Sequence, residues 1–272
     1  MLVYYNFDKL KQEDFHIDQH NRSFMYGDSV FETIVLKNGE IRFLEDHFQR
    51  LRHGLDVLGI KLPKKFSIEV WKAFILELAK DNQVETNARI KLQVWRKSGG
   101  LIMPAEEDGL FLLTVSPPVS SPKLEKEYVR VFDGVRLSYT PFSGNKTGNM
   151  LPYILAGKYL KQSGMDDLVL LNHENYVTEC VYSNLFWIIG DKVFTPSIAC
   201  GCIAGIMRKQ IIRWLGDNHI ALEEGKFPVE HLARADACFT SNVSGISVIN
   251  NLEGKKMNSH HHVVENLKNA LA

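Results

Sequence analysis

The chain has 272 residues with 32 basic and 32 acidic side chains, so its formal net charge is zero and nothing in it forms a basic surface for nucleic acid. At 45% hydrophobic and 24% charged, it has the composition of a globular chain long enough for one large or two modest cores. No apolar run approaches the roughly 18 residues of a membrane span, and the opening MLVYYNFDKLKQED lacks the basic start and apolar core of a secretion signal, so the expected location is cytoplasmic.

The first elements read as a hairpin followed by helices. Phe31 to Leu36 and Glu40 to Leu44 flank Asn38-Gly39, a dipeptide suited to a two-residue turn. Leu44, Phe48, Leu51, Leu55 and Leu58 then recur at alternating spacings of four and three, which predicts an amphipathic helix; Gly59 lies near its end and Pro63 blocks continuation. A second helix is expected over 67–80, with Val70, Trp71, Phe74, Ile75 and Leu78 on its apolar side. Ile90, Leu92 and Val94 alternate as in a half-buried strand, and Leu110 to Val115 is an apolar strand candidate.

The stretch around SPPVSSPKLEKE is rich in proline, serine and charge, and residues 118–127 are read as a linker between two domains. It separates an N-terminal α+β domain (1–117) from a C-terminal α/β domain (128–272). Tyr128 to Tyr139 alternates as a strand, and a helix is expected over 149–162. Short strands follow at 168–171, 185–189 and 193–195, then a helix over 206–215 entered through Gly205, and a strand at 237–240. Four cysteines do not make a disulfide scaffold, and the Cys200/Cys202 pair has no second close pair or spaced histidines to complete a zinc site. His260, His261 and His262 precede the apolar-periodic Val263, Val264, Leu267 and Leu271, and read as a helix start rather than a metal tract. No metal is expected.

The most informative stretch runs from Asn145 to Trp187. Lys146 sits among Gly144, Asn145, Thr147 and Gly148, small and polar residues that permit close approach of the backbone to a ligand. A lysine withdrawn from water is the residue type that bonds covalently to a carbonyl cofactor. Glu179 follows between two apolar, strand-like runs, where an interior carboxylate is costly unless paired. A pyridine nitrogen kept protonated by such a carboxylate makes the ring an electron sink.

The strings K-T-x-N-x-L, DDLVLLN, VTEC and SNLFW in this stretch resemble the class IV aminotransferases, the fold-type IV pyridoxal phosphate enzymes. YGDSVFET (26–33), HFQRL (47–51) and TPSIACGCIAGIMRKQII (195–212) match in order, so the resemblance covers about residues 21–249. It implies a two-domain α+β fold of the D-amino acid aminotransferase kind and pyridoxal 5'-phosphate as cofactor. Lys146 would carry the Schiff base and shuttle the proton, and Glu179 would face the ring nitrogen. The cofactor phosphate would be held by Arg50, by the turn Gly205-Ile206-Met207 and by Ser241 and Asn242. Tyr26, Phe31 and Arg96 are the substrate candidates, Arg96 as the partner of a substrate carboxylate. The substrate would be a small molecule, and the assembly a homodimer for which Trp95 and the apolar strands of the first half offer surface.

Within the family, VTEC before NLFW, GIMR after a glycine-bearing loop, and R-x-S-G-G at 96–100 are similar to the aminodeoxychorismate lyases, which release pyruvate and leave 4-aminobenzoate for folate synthesis. Met150 stands where branched-chain transaminases resembling this chain carry tyrosine, and FETIVLKNG lacks the arginine that follows F-E-G in them, leaving Val35 nearby. A transaminase acting on branched-chain or D-amino acids is the alternative, and a cofactor-binding protein without catalysis is a minor one that the presence of Lys146 disfavours.

Overall fold

Apolar alternation at the start of the chain builds a sheet in the computed structural model, which describes residues 1–118 and 123–271. β1 (Leu2–Tyr5) and β2 (Asp8–Lys11) form an antiparallel hairpin absent from the sequence reading, and α1 (Arg22–Tyr26) is capped by Asn21, whose side chain accepts from Phe24 N. In β3 (Ser29–Lys37), Val30, Ile34 and Leu36 are fully buried, while Phe31, Thr33 and Val35 on the other face are half-exposed. The expected return strand over 40–44 is shorter. β4 covers only Glu40–Ile41, because Phe43 takes a left-handed backbone conformation (φ 53°) and Leu44 already belongs to α2 (Leu44–Leu58).

α3 (Ile68–Asp81) starts at Ser67, whose hydroxyl accepts from Val70 N. β5 (Asn87–Arg96) and β6 (Gly109–Ser116) complete an all-antiparallel sheet ordered β2-β1-β6-β5-β3-β4. Leu51, Leu55, Trp71, Ile75 and Leu78 from the two helices pack with Val30, Ile34, Ile90, Leu92, Phe111 and Leu113 from the sheet. Each such fully buried large apolar side chain contributes roughly 1.5–3 kcal/mol. Trp95, expected to help form a dimer surface, is instead buried against Tyr5 and Phe15.

Contacts divide the chain into two units, Met1–Ser120 with Asn145–Asn149, and Ser121–Gly144 with Met150–Ala272. The short segment 145–149, which the sequence reading kept in the C-terminal domain, packs with the first unit. Part of the expected linker, residues 119–122, lies outside the described residues, and its end is already structured as β7 (Glu125–Lys126).

In the second unit, β8 (Val129–Leu137), α4 (Leu151–Ser163) and β9 (Asp167–Asn172) make a strand–helix–strand crossover with β8 and β9 parallel. The alternation read over 128–139 is interrupted by an irregularity in register between Phe132 and Arg136. Glu179 lies on β10 (Val177–Cys180), an edge strand antiparallel to β9. β11 (Asn184–Ile189) and β12 (Lys192–Pro196) form a hairpin. α5 (Ile206–Asp217) then crosses to β13 (Leu222–Gly225), parallel to β12.

The short α6 (Val229–Leu232) precedes β14 (Ala237–Asn242) and β15 (Gly245–Ile249), then β16 (Asn251–Leu252), β17 (Lys255–Lys256) and α7 (His262–Leu271). The two sheets of this unit run β10-β9-β8-β16-β17 and β13-β12-β11-β14-β15-β7. Trp187 stacks with Phe194, and Phe227 meets both edge-on, at the centre of one core. No described helix is long and apolar enough to cross a membrane.

Candidate active site

In the first unit the segment carrying Lys146 is an added rung on β3. Phe31 N donates to Lys146 O (2.7 Å), Gly148 N donates to Ser29 O (2.9 Å), and Val30 bridges Thr147. A side chain at Gly148 would bring its Cβ within 2.6 Å of Gly27 O and Ser29 Oγ, so only glycine permits this pairing. Asn145 is buried, with Oδ1 3.1 Å from His53 Nδ1. Lys146 Nζ then lies 5.2 Å from the centre of the Phe31 ring, on the half-exposed face of the sheet. Two predicted residues, Lys146 and Phe31, are therefore brought together.

Arg50 is nearly buried on α2, where Nε donates to Glu32 Oε1 (2.8 Å) and Nη2 to Glu32 Oε2 (2.5 Å). His47 Nδ1 lies 2.7 Å from the same Oε2. Burial pushes the Glu32 carboxyl up, but the Arg50 charge and the hydrogen bonds from His47 and Arg50 outweigh it and hold the carboxyl at about 2. Sequence reasoning passed over Glu32 and His47. The signal was present: Glu32 occupies the inward phase of the alternation Val30, Glu32, Ile34, Leu36, where a charge demands a partner.

The remaining substrate candidates diverge. Tyr26 is exposed, with the Arg22 guanidinium 5.0 Å from its ring centre. Arg96 is buried and committed internally, with Nε on Asp28 Oδ2 (2.9 Å), Nη1 on Gly59 O (2.7 Å) and Nη2 on Leu58 O. Asp28 also accepts from Arg22 Nε (2.8 Å). Those bonds engage most of the fork that a substrate carboxylate would need, so the geometry makes Arg96 a structural tie rather than a carboxylate receptor.

In the second unit Glu179 is buried on β10 and satisfied by three donors. Tyr153 Oη (2.6 Å) and Ile203 N (3.0 Å) donate to Oε1, and Asn184 Nδ2 donates to Oε2 (3.2 Å). Burial, and then the Glu179 charge, raise the Tyr153 hydroxyl far above its ordinary range, so it stays a proton donor. Asn184 also donates to Ile203 O (2.8 Å), tying the carboxylate to the loop that enters α5. The signal for Asn184 was the polar residue opening the apolar run SNLFW.

Gly205 is the N-cap of α5, and no side chain caps the helix there. A Cβ at Gly205 would sit 2.0 Å from Asn184 Oδ1, so the close approach of loop and strand requires glycine. Ile206 and Met207 bury their side chains, leaving backbone N–H groups at the helix start. Ser241 lies directly across from Asn184 in the β11–β14 ladder, and its buried Oγ has no hydrogen-bond partner. Asn242 is engaged in a local turn, donating to Tyr182 O and accepting from Ser244 N. The second unit thus brings Glu179, Gly205 and Ser241 together through Asn184. An uncapped helix N-terminus with an unsatisfied buried hydroxyl in the adjoining strand suits a phosphate, and a buried carboxylate suits a ring N–H.

Residues 29–251 match the model of the family described as amino-transferase class IV. An aminodeoxychorismate lyase from Vibrio harveyi is 29% identical over 250 residues, covering 87% of this chain and 89% of that protein. A D-alanine aminotransferase from Staphylococcus epidermidis is 24% identical over 262 residues, covering 94% and 90%. The crystal structure of a branched-chain aminotransferase from Thermoproteus uzoniensis with norvaline superposes with a TM-score of 0.90 at 23% identity, over 99% of this chain and 93% of that one. The fold expected from the sequence is therefore the fold found, and the orphaned Ser241 hydroxyl and the Gly205 cradle fit the phosphate of the family's cofactor. The chain belongs to the class IV aminotransferases and is a pyridoxal phosphate-dependent transaminase or lyase.

Proposed function

We propose that this enzyme is a 4-amino-4-deoxychorismate lyase, releasing pyruvate and leaving 4-aminobenzoate, a folate precursor. The observation that carries the reading is the pair Val35 and Met150, the first near the place of the arginine and the second at the place of the tyrosine in the branched-chain transaminases that this chain resembles. Val35 is half-exposed on the same face of β3 as Phe31, and Met150 is the N-cap residue of α4. Neither can donate the hydrogen bonds that an amino-acid carboxylate or a cofactor ring oxygen would take from those residues. The 29% identity to the Vibrio harveyi lyase supports the same reading.

When bound, pyridoxal phosphate supplies the electron sink for proton removal and elimination. In this reading Lys146 would hold the cofactor carbonyl and would move the proton at its Nζ. Glu179, kept oriented by Tyr153, Asn184 and Ile203 N, holds the proton on the ring nitrogen. In the first unit Arg50, oriented by Glu32, would be the side-chain candidate for the phosphate; in the second unit the candidates would be the amides of Gly205, Ile206 and Met207 with Ser241 Oγ. Asn242 would add its backbone from a second turn, the one that follows β14.

The enzyme is further proposed to be a cytoplasmic homodimer. Leu151, Ile154, Leu155 and Tyr159 line one side of α4 and are 67%, 62%, 56% and 46% exposed, an apolar stripe at helical spacing that a second copy would cover.

The deciding experiment presents the loaded enzyme separately with aminodeoxychorismate, and with D-alanine, L-leucine or L-glutamate plus a 2-oxo acid. Formation of 4-aminobenzoate and pyruvate should outrun every amino transfer, and Lys146→Ala should abolish it. Amino transfer running well while no 4-aminobenzoate appears would hand the activity to a transaminase.

A further inference from the structure

A buried ion pair that the mechanism does not use ties together the two sheets of the second unit. Lys126 stands on β7, at the edge of the sheet that holds β11 and β14, and Asp167 opens β9 in the other sheet. Both are buried, and Lys126 Nζ donates to Asp167 Oδ2 (2.5 Å). The same ammonium donates to Thr240 Oγ1 on β14 (2.7 Å) and to Ser183 Oγ (3.2 Å), so each of its three N–H groups has an acceptor. Asp167 in turn accepts at Oδ1 from Leu168 N (2.9 Å) and Val181 N (3.1 Å), and at Oδ2 from Ser183 Oγ (3.3 Å). Val181 and Ser183 belong to the turn from β10 to β11.

The pair lies behind groups already placed in the site. Glu179 comes two residues before Val181, Asn184 follows Ser183, and Ser241 follows Thr240. Neighbouring strand residues point to opposite faces, so Thr240 turns to the ammonium while Ser241 turns away from it, across from Asn184. Glu179 belongs to one sheet and Ser241 to the other. Taking both charges out of water cancels most of their attraction, so such a pair adds little to stability. Three oriented donors on one ammonium do fix a position, and here they fix one sheet against the other.

We propose that Lys126 and Asp167 are positioning residues, which set the spacing between Glu179 and Ser241 at which one cofactor molecule meets both. The inference rests on the reading of those two residues as the ring-nitrogen and phosphate partners. A ligand that reaches only one sheet has no need of the spacing, whereas a ligand that spans the two depends on it. Inorganic phosphate is a ligand of the first kind, and pyridoxal phosphate of the second.

The test titrates both ligands calorimetrically into the full-length enzyme freed of cofactor. Lys126→Met combined with Asp167→Asn removes both charges and keeps an acceptor for the amides of Leu168 and Val181. This double variant should melt close to the wild-type Tm and hold inorganic phosphate as the wild type does, because apolar or neutral replacement of a buried pair is often harmless to stability. Pyridoxal phosphate should bind it about ten-fold more weakly, the scale of a lost charge-assisted contact. Thr240→Val deletes one contact of the ammonium and leaves the ion pair, and should weaken pyridoxal phosphate roughly five-fold with phosphate binding again unchanged. Equal loss of the two ligands marks a merely structural role and overturns the proposal, as does wild-type affinity for pyridoxal phosphate in the double variant. Should the double variant not fold, Thr240→Val decides by the same two outcomes. Two controls read the underlying assignment separately: Ser241→Ala should weaken both ligands, and Glu179→Gln pyridoxal phosphate alone. With both controls as expected, a wild-type result in the Lys126 and Thr240 variants sinks this inference alone. Phosphate binding unchanged in Ser241→Ala, or pyridoxal phosphate binding unchanged in Glu179→Gln, sinks the reading of the site and this inference with it.

Discussion

A carboxylate shut away from water keeps its charge in this protein because two side chains of α2 surround it. Glu32 takes both the Nε and Nη2 sides of Arg50 and a hydrogen bond from His47, so the guanidinium has one orientation. Removing one member of a buried ion pair leaves the other uncompensated and typically costs about 3–5 kcal/mol. Glu32→Gln should therefore lower unfolding free energy on that scale in urea denaturation and also weaken cofactor binding through a misoriented Arg50. A variant as stable as the wild type would make the triad incidental. The sign of the pH dependence follows from the depressed carboxyl. With an ordinary value of 4.5 and a folded value of about 2, the contribution of Glu32 is complete above 4.5 and lost as pH falls between the two. In Glu32→Gln that part of the acid destabilisation should disappear.

Among the elements, α5 and α4 carry separate consequences. The loop entering α5 is held by Asn184, which also reaches Glu179, so one strand residue couples the turn before the helix to the buried carboxylate. Gly205→Ala puts a methyl carbon into Asn184 Oδ1, an overpacking that costs about 1–3 kcal/mol. Cofactor affinity and Tm should fall together, and the absorbance of bound cofactor should change as the Glu179 contacts loosen. Full cofactor affinity in Gly205→Ala would separate the turn from the site. For α4, Leu155→Glu places a charge in the exposed stripe without disturbing the buried Ala156 and Leu160 on its other side. Light scattering should then report a dimer for the wild type and a monomer for the variant. A wild-type monomer with full activity would refute the assembly.

Across the whole molecule, much of the fold was legible where a single face of an element decides its burial. Helix α2 followed its leucine spacing, and the Asn38-Gly39 turn joined β3 to β4 as read. The hairpin β1–β2 was not legible, because its tyrosines, lysines and asparagine give no clean alternation and its place is set by pairing with the distant β6. In the site, residue types and motif order pointed to Lys146 and Glu179, but Arg96 could not be assigned from sequence. Its bonds run to carbonyls of residues 58 and 59, a proximity that only the folded chain creates. The rung formed by 145–149 on β3 bears also on the time order of synthesis. The edge of β3 is complete only when residues far beyond the first unit's own stretch have emerged, so a nascent chain ending near residue 118 presents an unpaired strand edge. Lys146 thus arrives as the closing piece of a unit begun long before it, and in the proposed reading the enzyme would not acquire its chemistry before that early unit is sealed.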